Sequence, residues 1–476
     1  MKNSYKGSAK NRYSTYSLSE FKVVKVALRA RAFQFVFTLP MVLILFVILA
    51  SGIYGTQNPG ANFATVAVWT TWWIGVIFLI ILSGSSWCLI CPWSAVADWT
   101  ERISFWGKKE GLSMAFKWPT LLKNRHLATA FFIIVTWLEL GLLITYNPLN
   151  TAYLAFALVV LAVMTALVFE KKAFCRYVCF VGGIVGMYSN LAPVEIRSKD
   201  NEVCQACKSK DCITGNEKGY GCPTHEYPGG MSNNSNCIMC TECFKTCPSD
   251  NISLNLRPLL ADVSHGYKGR FDESILILTL LALTAYHGFT MLPNWTTWAQ
   301  DTMLTNYSLY LSTFTLLEVG FVVAVLFGHL IASSIVNKVS YSNGASTKQI
   351  FVQFSYALLP LALFYHLSHN FGHFNMEGLE IVPVISDPLG RGMNIFGTAG
   401  EKIKMILGMR LQLIFQYMML TTGFISSIYL SYKTSAKLFN GSKESMVRAI
   451  PLFAVIIIYT VLFTWMTMQP MAMRTS

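Results

Sequence analysis

The sequence predicts an all-α polytopic membrane protein of about nine transmembrane helices, with a cysteine-rich domain inserted on the cytoplasmic side. Three observations predict it. Of the 476 residues, 53% are hydrophobic and only 13% are charged, about half the charged fraction of a soluble domain. Nine apolar stretches are long enough to cross a bilayer. Eight of the twelve cysteines crowd into one polar stretch between Cys204 and Cys247.

Residues 1–32 read as a basic cytoplasmic tail, lying as an anchor against anionic lipid. The apolar stretch after it is too long for the core of a cleavable signal. Residues 33–169 read as a four-span membrane domain, with spans near 33–53, 65–85, 127–146 and 151–169. The loop 86–126 carries Trp93, Trp99, Trp106, Phe116 and Trp118 among basic residues, as a segment in the inner interface would. Residues 170–272 are polar, and within them Ile252 to Arg257 alternates as a short strand does. Residues 273–476 read as a five-span domain, with spans near 274–292, 309–335, 350–371, 410–430 and 449–468.

Lys and Arg placement orients the chain. With the N-terminus inside, 32 of the 37 Lys and Arg lie on the cytoplasmic side. Only Arg391, Lys402, Lys404, Arg410 and Arg474 fall outside, which the positive-inside rule favours. The expected location is a prokaryotic plasma membrane, with the C-terminus outside. The net charge of +13 is then a topology signal and points to no nucleic acid. In this arrangement all twelve cysteines meet a reducing compartment, where thiols and metal ligands outlast disulfides. Outside the spans there is no phosphate-cradling glycine loop, dinucleotide fingerprint or nucleophile elbow.

The insert carries the clearest chemistry. Its second half reads Cys237-x2-Cys240-x2-Cys243-x3-Cys247-Pro248, the iron–sulfur run of a bacterial ferredoxin. Three thiolates two residues apart can wrap one cluster from a single loop. The fourth ligates the other cluster in two-cluster proteins. The first half supplies a looser matching set, Cys204-x2-Cys207-x4-Cys212 and then Cys222-Pro223. One 4Fe-4S cluster is therefore assigned to Cys204, Cys207, Cys212 and Cys247, and a second to Cys222, Cys237, Cys240 and Cys243. Paired Cys-x2-Cys knuckles also bind zinc, but eight cysteines ending twice in Cys-Pro fit clusters better. With few apolar runs of its own, the insert needs bound iron in place of a large core.

Two further cysteine pairs stand at the cytoplasmic ends of the second and fourth spans, Cys88/Cys91 and Cys175/Cys179. Four thiols at one depth could hold a metal or cluster or form a redox dithiol site; buried inert cysteines are the alternative.

The run Ser83-Gly84-Ser85-Ser86-Trp87-Cys88-Leu89-Ile90-Cys91-Pro92, the pair Cys175/Cys179, the double cluster run and Arg29-x-Arg31 resemble the membrane polyferredoxin family, the NapH-, NosR- and CcoG-type proteins. The resemblance covers roughly residues 29–260. It implies electron transfer from quinol or a cytoplasmic donor towards a periplasmic enzyme, cytochrome c or a metal centre, as part of a quinol dehydrogenase-like complex. The second pair ends in Phe180 where the family usually has proline. The last five spans go beyond its four-span members.

Those spans hold a signal of their own. His366, His369 and His373 share one helical face, and His287 lies at similar depth near the outer surface. Imidazole inside a membrane needs a hydrogen bond or a metal. A b-type haem, a copper site helped by the methionines Met466, Met468, Met471 and Met473, a quinone site and plain helix packing all remain open. His329 reads as structural. Glu139 and Glu318, carboxylates within spans, are candidates for a proton path.

Two functions compete on this reading. One is a membrane electron-transfer protein between a quinone pool or cytoplasmic donor and a periplasmic-side partner. The other is an iron–sulfur-dependent copper reductase that serves maturation of a metalloenzyme.

Overall fold

The computed structural model describes residues 13–103, 111–265, 267, 269–339, 345–401, 404–439 and 443–471. The first twelve residues of the basic tail, with Trp106, Lys402, Met473 and Arg474, lie outside them.

Among the described residues, eight helices are long and apolar enough to cross a membrane: Phe33–Tyr54, Phe63–Ser83, Pro148–Val168, Phe271–Thr290, Tyr307–Val339, Thr347–Ser386, Met409–Leu438 and Ile450–Met468. The expected third span is a shorter apolar helix, His126–Gly141. At 1.5 Å per residue it reaches roughly 24 Å, short of a hydrocarbon core of about 30 Å. Its last turn, Trp137–Gly141, widens into a π-turn, and Leu143 at φ 51° then ends it. The expected seventh span also changes. It continues past 371 to Ser386, through 3₁₀ turns at Tyr356–Leu358 and Gly378–Glu380. The histidines therefore lie inside this helical run and not at its end.

The chain divides into two compact units that cut across the sequence order. The first comprises residues 1–46, 78–128 and 154–267; the second comprises 47–77, 129–153 and 268–476.

The first unit is built on a small antiparallel sheet. Its strands are β1 (Tyr16–Ser17), β2 (Val194–Ser198) and β3 (Ile252–Leu256), in the order β1-β3-β2. Tyr16 pairs with Leu256, and Val194 pairs with the same residue from the other side. The described part of the basic tail is ordered against this sheet. It supplies an edge strand and a helix, Lys22–Arg29, whose Leu28 packs on Ile196, Phe244 and Ile252. Lys25 and Arg29 pair with Asp250. That hydrophobic cluster is small, and Cys237, Cys243 and Cys247 lie against it.

An ionic network locks the sheet to the chain behind it. Arg257 meets Asp262 at 2.5 Å and Glu195 at 3.1 Å, and Arg197 meets Asp262 at 3.2 Å. Tyr13 donates its hydroxyl to Glu195 at 2.8 Å. Burial alone would raise the Glu195 carboxyl. The charges of Arg197 and Arg257, with hydrogen bonds from Tyr13 and Asn255, outweigh it and hold it below the ordinary glutamate value. A carboxyl depressed on folding contributes stability above the pKa of the unfolded chain, about 4.3, and loses it as pH falls through the folded value. This unit is expected to weaken below about pH 4, with Glu195→Gln removing part of that acid dependence. Thermal melts stepped from pH 6 to 3 measure it; identical slopes for wild type and variant would remove Glu195 from the account.

The second unit is a helical bundle. Phe271–Thr290 is buried on nearly every side, with Leu276, Leu280 and Tyr286 at 0% exposure. A helix outside the expected spans, Pro293–Thr305, starts with Pro at its first turn and seats Trp295 and Ala299 against Tyr286, Tyr310 and Phe314.

Candidate metal centres

The eight cysteines of the insert lie on short helices and tight turns. Asp200 caps Asn201–Ala206 through the Glu202 amide, which places Cys204 on its one full turn. Cys212 follows Lys210 at φ 47°, and the Cys222 amide donates to the Cys212 carbonyl at 2.7 Å. Met239 at φ 53° and Thr241 at φ 64° flank Cys240. Left-handed backbone at non-glycine residues is uncommon and is retained where surrounding structure dictates it.

The two Cys-Pro segments fold as one turn used twice. In Cys222-Pro223-Thr224-His225-Glu226, His225 is left-handed at φ 57°, and the Glu226 amide donates to Cys222 Sγ at 3.3 Å. In Cys247-Pro248-Ser249-Asp250-Asn251, Asp250 is left-handed at φ 51°, and the Asn251 amide donates to Cys247 Sγ at 3.3 Å. The Asn251 side chain also donates to Cys204 Sγ at 3.2 Å. Amides aimed at sulfur favour the thiolate and tune whatever it ligates.

Their electrostatic influence on one another divides these cysteines into two sets. Burial raises the Cys212 thiol to about 12, and Cys247, Cys204 and Cys207 add to the shift. Burial also raises Cys240 and Cys243, with Cys222 and Cys237 contributing to both. Cys212 contributes to Cys243 as well, so the sets are neighbours. Among the described residues no three His, Cys, Asp or Glu converge tightly enough to hold one metal ion. A single ion draws thiolates to about 2.3 Å from one point; a cube takes one at each of four iron corners. Close-set thiols, of which Cys204, Cys212 and Cys240 are buried, with amides aimed at the sulfurs of Cys222 and Cys247, fit such a group chemically.

The four membrane-end thiols come together too. Cys88, Cys91, Cys175 and Cys179 line one small cavity with Cys237 and Arg125. Cys91 and Cys179 each precede the first turn of a helix, Pro92–Arg102 and Phe180–Tyr188. The Gly182 amide donates to Cys179 Sγ at 3.3 Å. Burial raises Cys179 to about 12, Cys175 adds to it, and Arg125 opposes it. Burial raises Cys88 as well, with Cys179, Cys175 and Cys237 adding and Lys172 opposing. Lys172 is buried, bonded to Ser94 at 2.7 Å and paired with Asp98 at 2.8 Å. Lys172, Asp98 and Cys175 also line a cavity of about 220 Å³ that reaches Cys240. Sequence reasoning missed Lys172, Asp98, Arg125 and Asn251, because none of them lies in a motif.

Compared with known proteins, the chain matches no family model, no curated protein and no solved structure.

In the second unit, three of the four expected histidines meet. The His287 and His369 rings stand edge to face at 5.1 Å, and His369 and His373 at 5.0 Å. His366 packs its ring against Trp73 at 5.8 Å. His373 bonds Glu377 through Nδ1 at 3.0 Å, and its Nε2 faces Met291 Sδ at 3.3 Å. Of the outer methionines, Met466 is buried beside Tyr365 and Met468 is 59% exposed. His329 bonds the Phe351 carbonyl at 3.0 Å. Glu139, in the π-turn, and Glu318 are both buried, on helices that pack together through Trp137 and Thr315 at 2.9 Å. Glu318 Oε1 has no hydrogen-bond partner among the described residues.

Proposed function

We propose that this chain is a membrane electron-transfer protein. It would pass electrons between a quinone pool or cytoplasmic donor and a redox partner on the periplasmic side, through two 4Fe-4S clusters. One observation carries the reading: two neighbouring sets of four thiols, each including a Cys-Pro turn whose amide donates to the cysteine sulfur. Burial raises Cys212, Cys240 and Cys243, and bound cations would favour their thiolates. Clusters of this kind supply one-electron carriage, at potentials set by charge, burial and hydrogen bonds to sulfur. The chain supplies the holding groups: Cys204, Cys207, Cys212 and Cys247 for one, and Cys222, Cys237, Cys240 and Cys243 for the other. The thiols of Cys88, Cys91, Cys175 and Cys179, in one cavity with Cys237, extend the sulfur-lined path.

Full-length protein purified without oxygen is expected to contain iron and sulfide, and to give a paramagnetic signal after dithionite. Zinc in place of iron, with no such signal, would reject the reading. A second reading, electron delivery to copper for the maturation of another enzyme, is favoured by the imidazole–thioether contact of His373 and Met291.

A further inference from the structure

We propose that Cys88, Cys91, Cys175 and Cys179 form a thiol–disulfide couple, in which a bond between the two chain segments stores a pair of electrons beside Cys237. The couple rests on the iron–sulfur reading only for the source of those electrons.

Two segments distant in sequence, 88–91 and 175–179, arrive at one place. Their four cysteines and Cys237 line a cavity of about 30 Å³, the share of a single water molecule in the liquid. After burial, the strongest influence on Cys88 is the charge of Cys179, and on Cys91 it is the charge of Cys175. Each cysteine of the first segment is thus coupled most strongly to one of the second. Among the described residues no three His, Cys, Asp or Glu converge on one metal ion, which leaves sulfur pairs.

The surroundings are those of reactive thiols. Reactive cysteines sit at helix N-termini and beside Lys or Arg. Cys91 precedes Pro92–Arg102, and Cys179 precedes Phe180–Tyr188. The Gly182 amide donates to Cys179 Sγ at 3.3 Å. A Cβ on Gly182 would meet the Cys175 carbonyl at 2.9 Å, so glycine lets this helix begin close to both residues. Arg125 lines the cavity and donates to the carbonyls of Arg176 and Ser235, each at 2.9 Å. Lys172 bonds Ser94 Oγ at 2.7 Å, and Ser94 Oγ lies 3.9 Å from Cys175 Sγ. Lys172, Ser94 and Cys175 also line the larger cavity of about 220 Å³, with room for roughly seven waters at about 30 Å³ each. A hydroxyl therefore bridges that cavity to sulfur, as a proton route needs.

The electron count fits as well. A 4Fe-4S cluster carries one electron at a time, whereas a disulfide takes two. Two clusters together supply that pair. On reduction the S–S bond breaks, two electrons arrive from the clusters in single steps, and two protons from solvent complete two S–H bonds. A membrane quinone then takes both electrons and both protons, leaves as quinol, and the S–S bond forms again. A quinol donor runs the same steps in reverse. In a reducing compartment a disulfide of this kind is transient and catalytic.

The test uses the full-length chain in detergent, without oxygen, poised in mixtures of reduced and oxidised dithiothreitol and trapped with N-ethylmaleimide. Mass spectrometry is expected to find a disulfide that joins Cys88 or Cys91 to Cys175 or Cys179. Oxidised protein titrated with dithionite and a trace of methyl viologen is expected to take up about four electrons per chain, one for each cluster and two for the disulfide. Cys88→Ser with Cys91→Ser is expected to take up about two. Its iron content and melting temperature are expected to stay at wild-type values, since serine suits the position before Pro92–Arg102. Wild type without iron would reject the cluster reading alone, and the dithiothreitol series would still decide the couple. No disulfide at any poise, a disulfide confined to one segment, or equal electron uptake by wild type and variant would overturn the proposal.

Discussion

Cys240→Ala is expected to strip one cluster from the insert and to unfold most of it. Cys240 is 8% exposed and sits between two left-handed residues, Met239 and Thr241. Each such residue stores on the order of 1–3 kcal/mol, and something must hold them there. The hydrophobic cluster nearby is built on Leu28, Ile196, Phe244 and Ile252, with Cys237, Cys243 and Cys247 against it. On the proposed function, ligated metal would add to what that cluster and the sheet contribute. Metal binding in small metal-held domains contributes on the order of 10 kcal/mol, comparable to the whole stability of a domain. Iron is expected to fall from about eight atoms per chain to about four or fewer, and limited proteolysis to cut between 200 and 260. Unchanged iron in Cys240→Ala would show that the ligand assignment is wrong.

Asp262→Ala is expected to destabilise the same unit by about 3–5 kcal/mol, for a different reason. The Arg257 side chain has 0% exposure and bonds both Asp262 and Glu195, while Arg197 shares the same two acids. Removing Asp262 leaves two buried guanidinium groups on one carboxylate. Breaking a buried pair from one side costs about that much, because a charge is stranded away from water. The Asn234 amide also loses one of its two acceptors, 3.0 Å away, and keeps Asn190. Adding Arg257→Met should recover part of the loss, since the stranded charge goes with it. A melting temperature for Asp262→Ala equal to wild type would mean water reaches the network.

Much of the fold was legible in the sequence because bilayer thickness constrains it so strongly. Runs such as Phe33–Tyr54 and Pro148–Val168 are continuous apolar stretches of spanning length, and composition alone finds them. The stretch from His126 was misread because apolarity does not reveal where a helix stops. The widened turn at Trp137–Gly141 and left-handed Leu143 stop it early. The run through His366 was read too short for the opposite reason. Asn370, His373, Asn375 and Glu377 look like a span end, yet all are buried by neighbouring helices.

The sites were legible to the extent that ligands sit close together in sequence. The cysteine spacings could be read because one loop holds three of them. His373 and Met291 are 82 positions apart, and no local pattern links them. The ring of His366 shares a face with His369 in sequence, but Trp73 claims it. The strand in the tail was not legible because two residues, Tyr16 and Ser17, are too few to carry a strand signature. They become a strand only where β3 offers its edge.

That edge has a consequence for biosynthesis. Tyr16 leaves the ribosome early and finds its partner Leu256 only after four greasy helices have been made in between. At about 5–20 residues per second the wait is on the order of tens of seconds. Through that interval the opening segment has nowhere to dock, and the translocon has already begun threading its successors into lipid. On the proposed function, the cysteines from Cys204 to Cys247 are themselves made only after those helices, so iron would meet them on a chain already engaged with the bilayer.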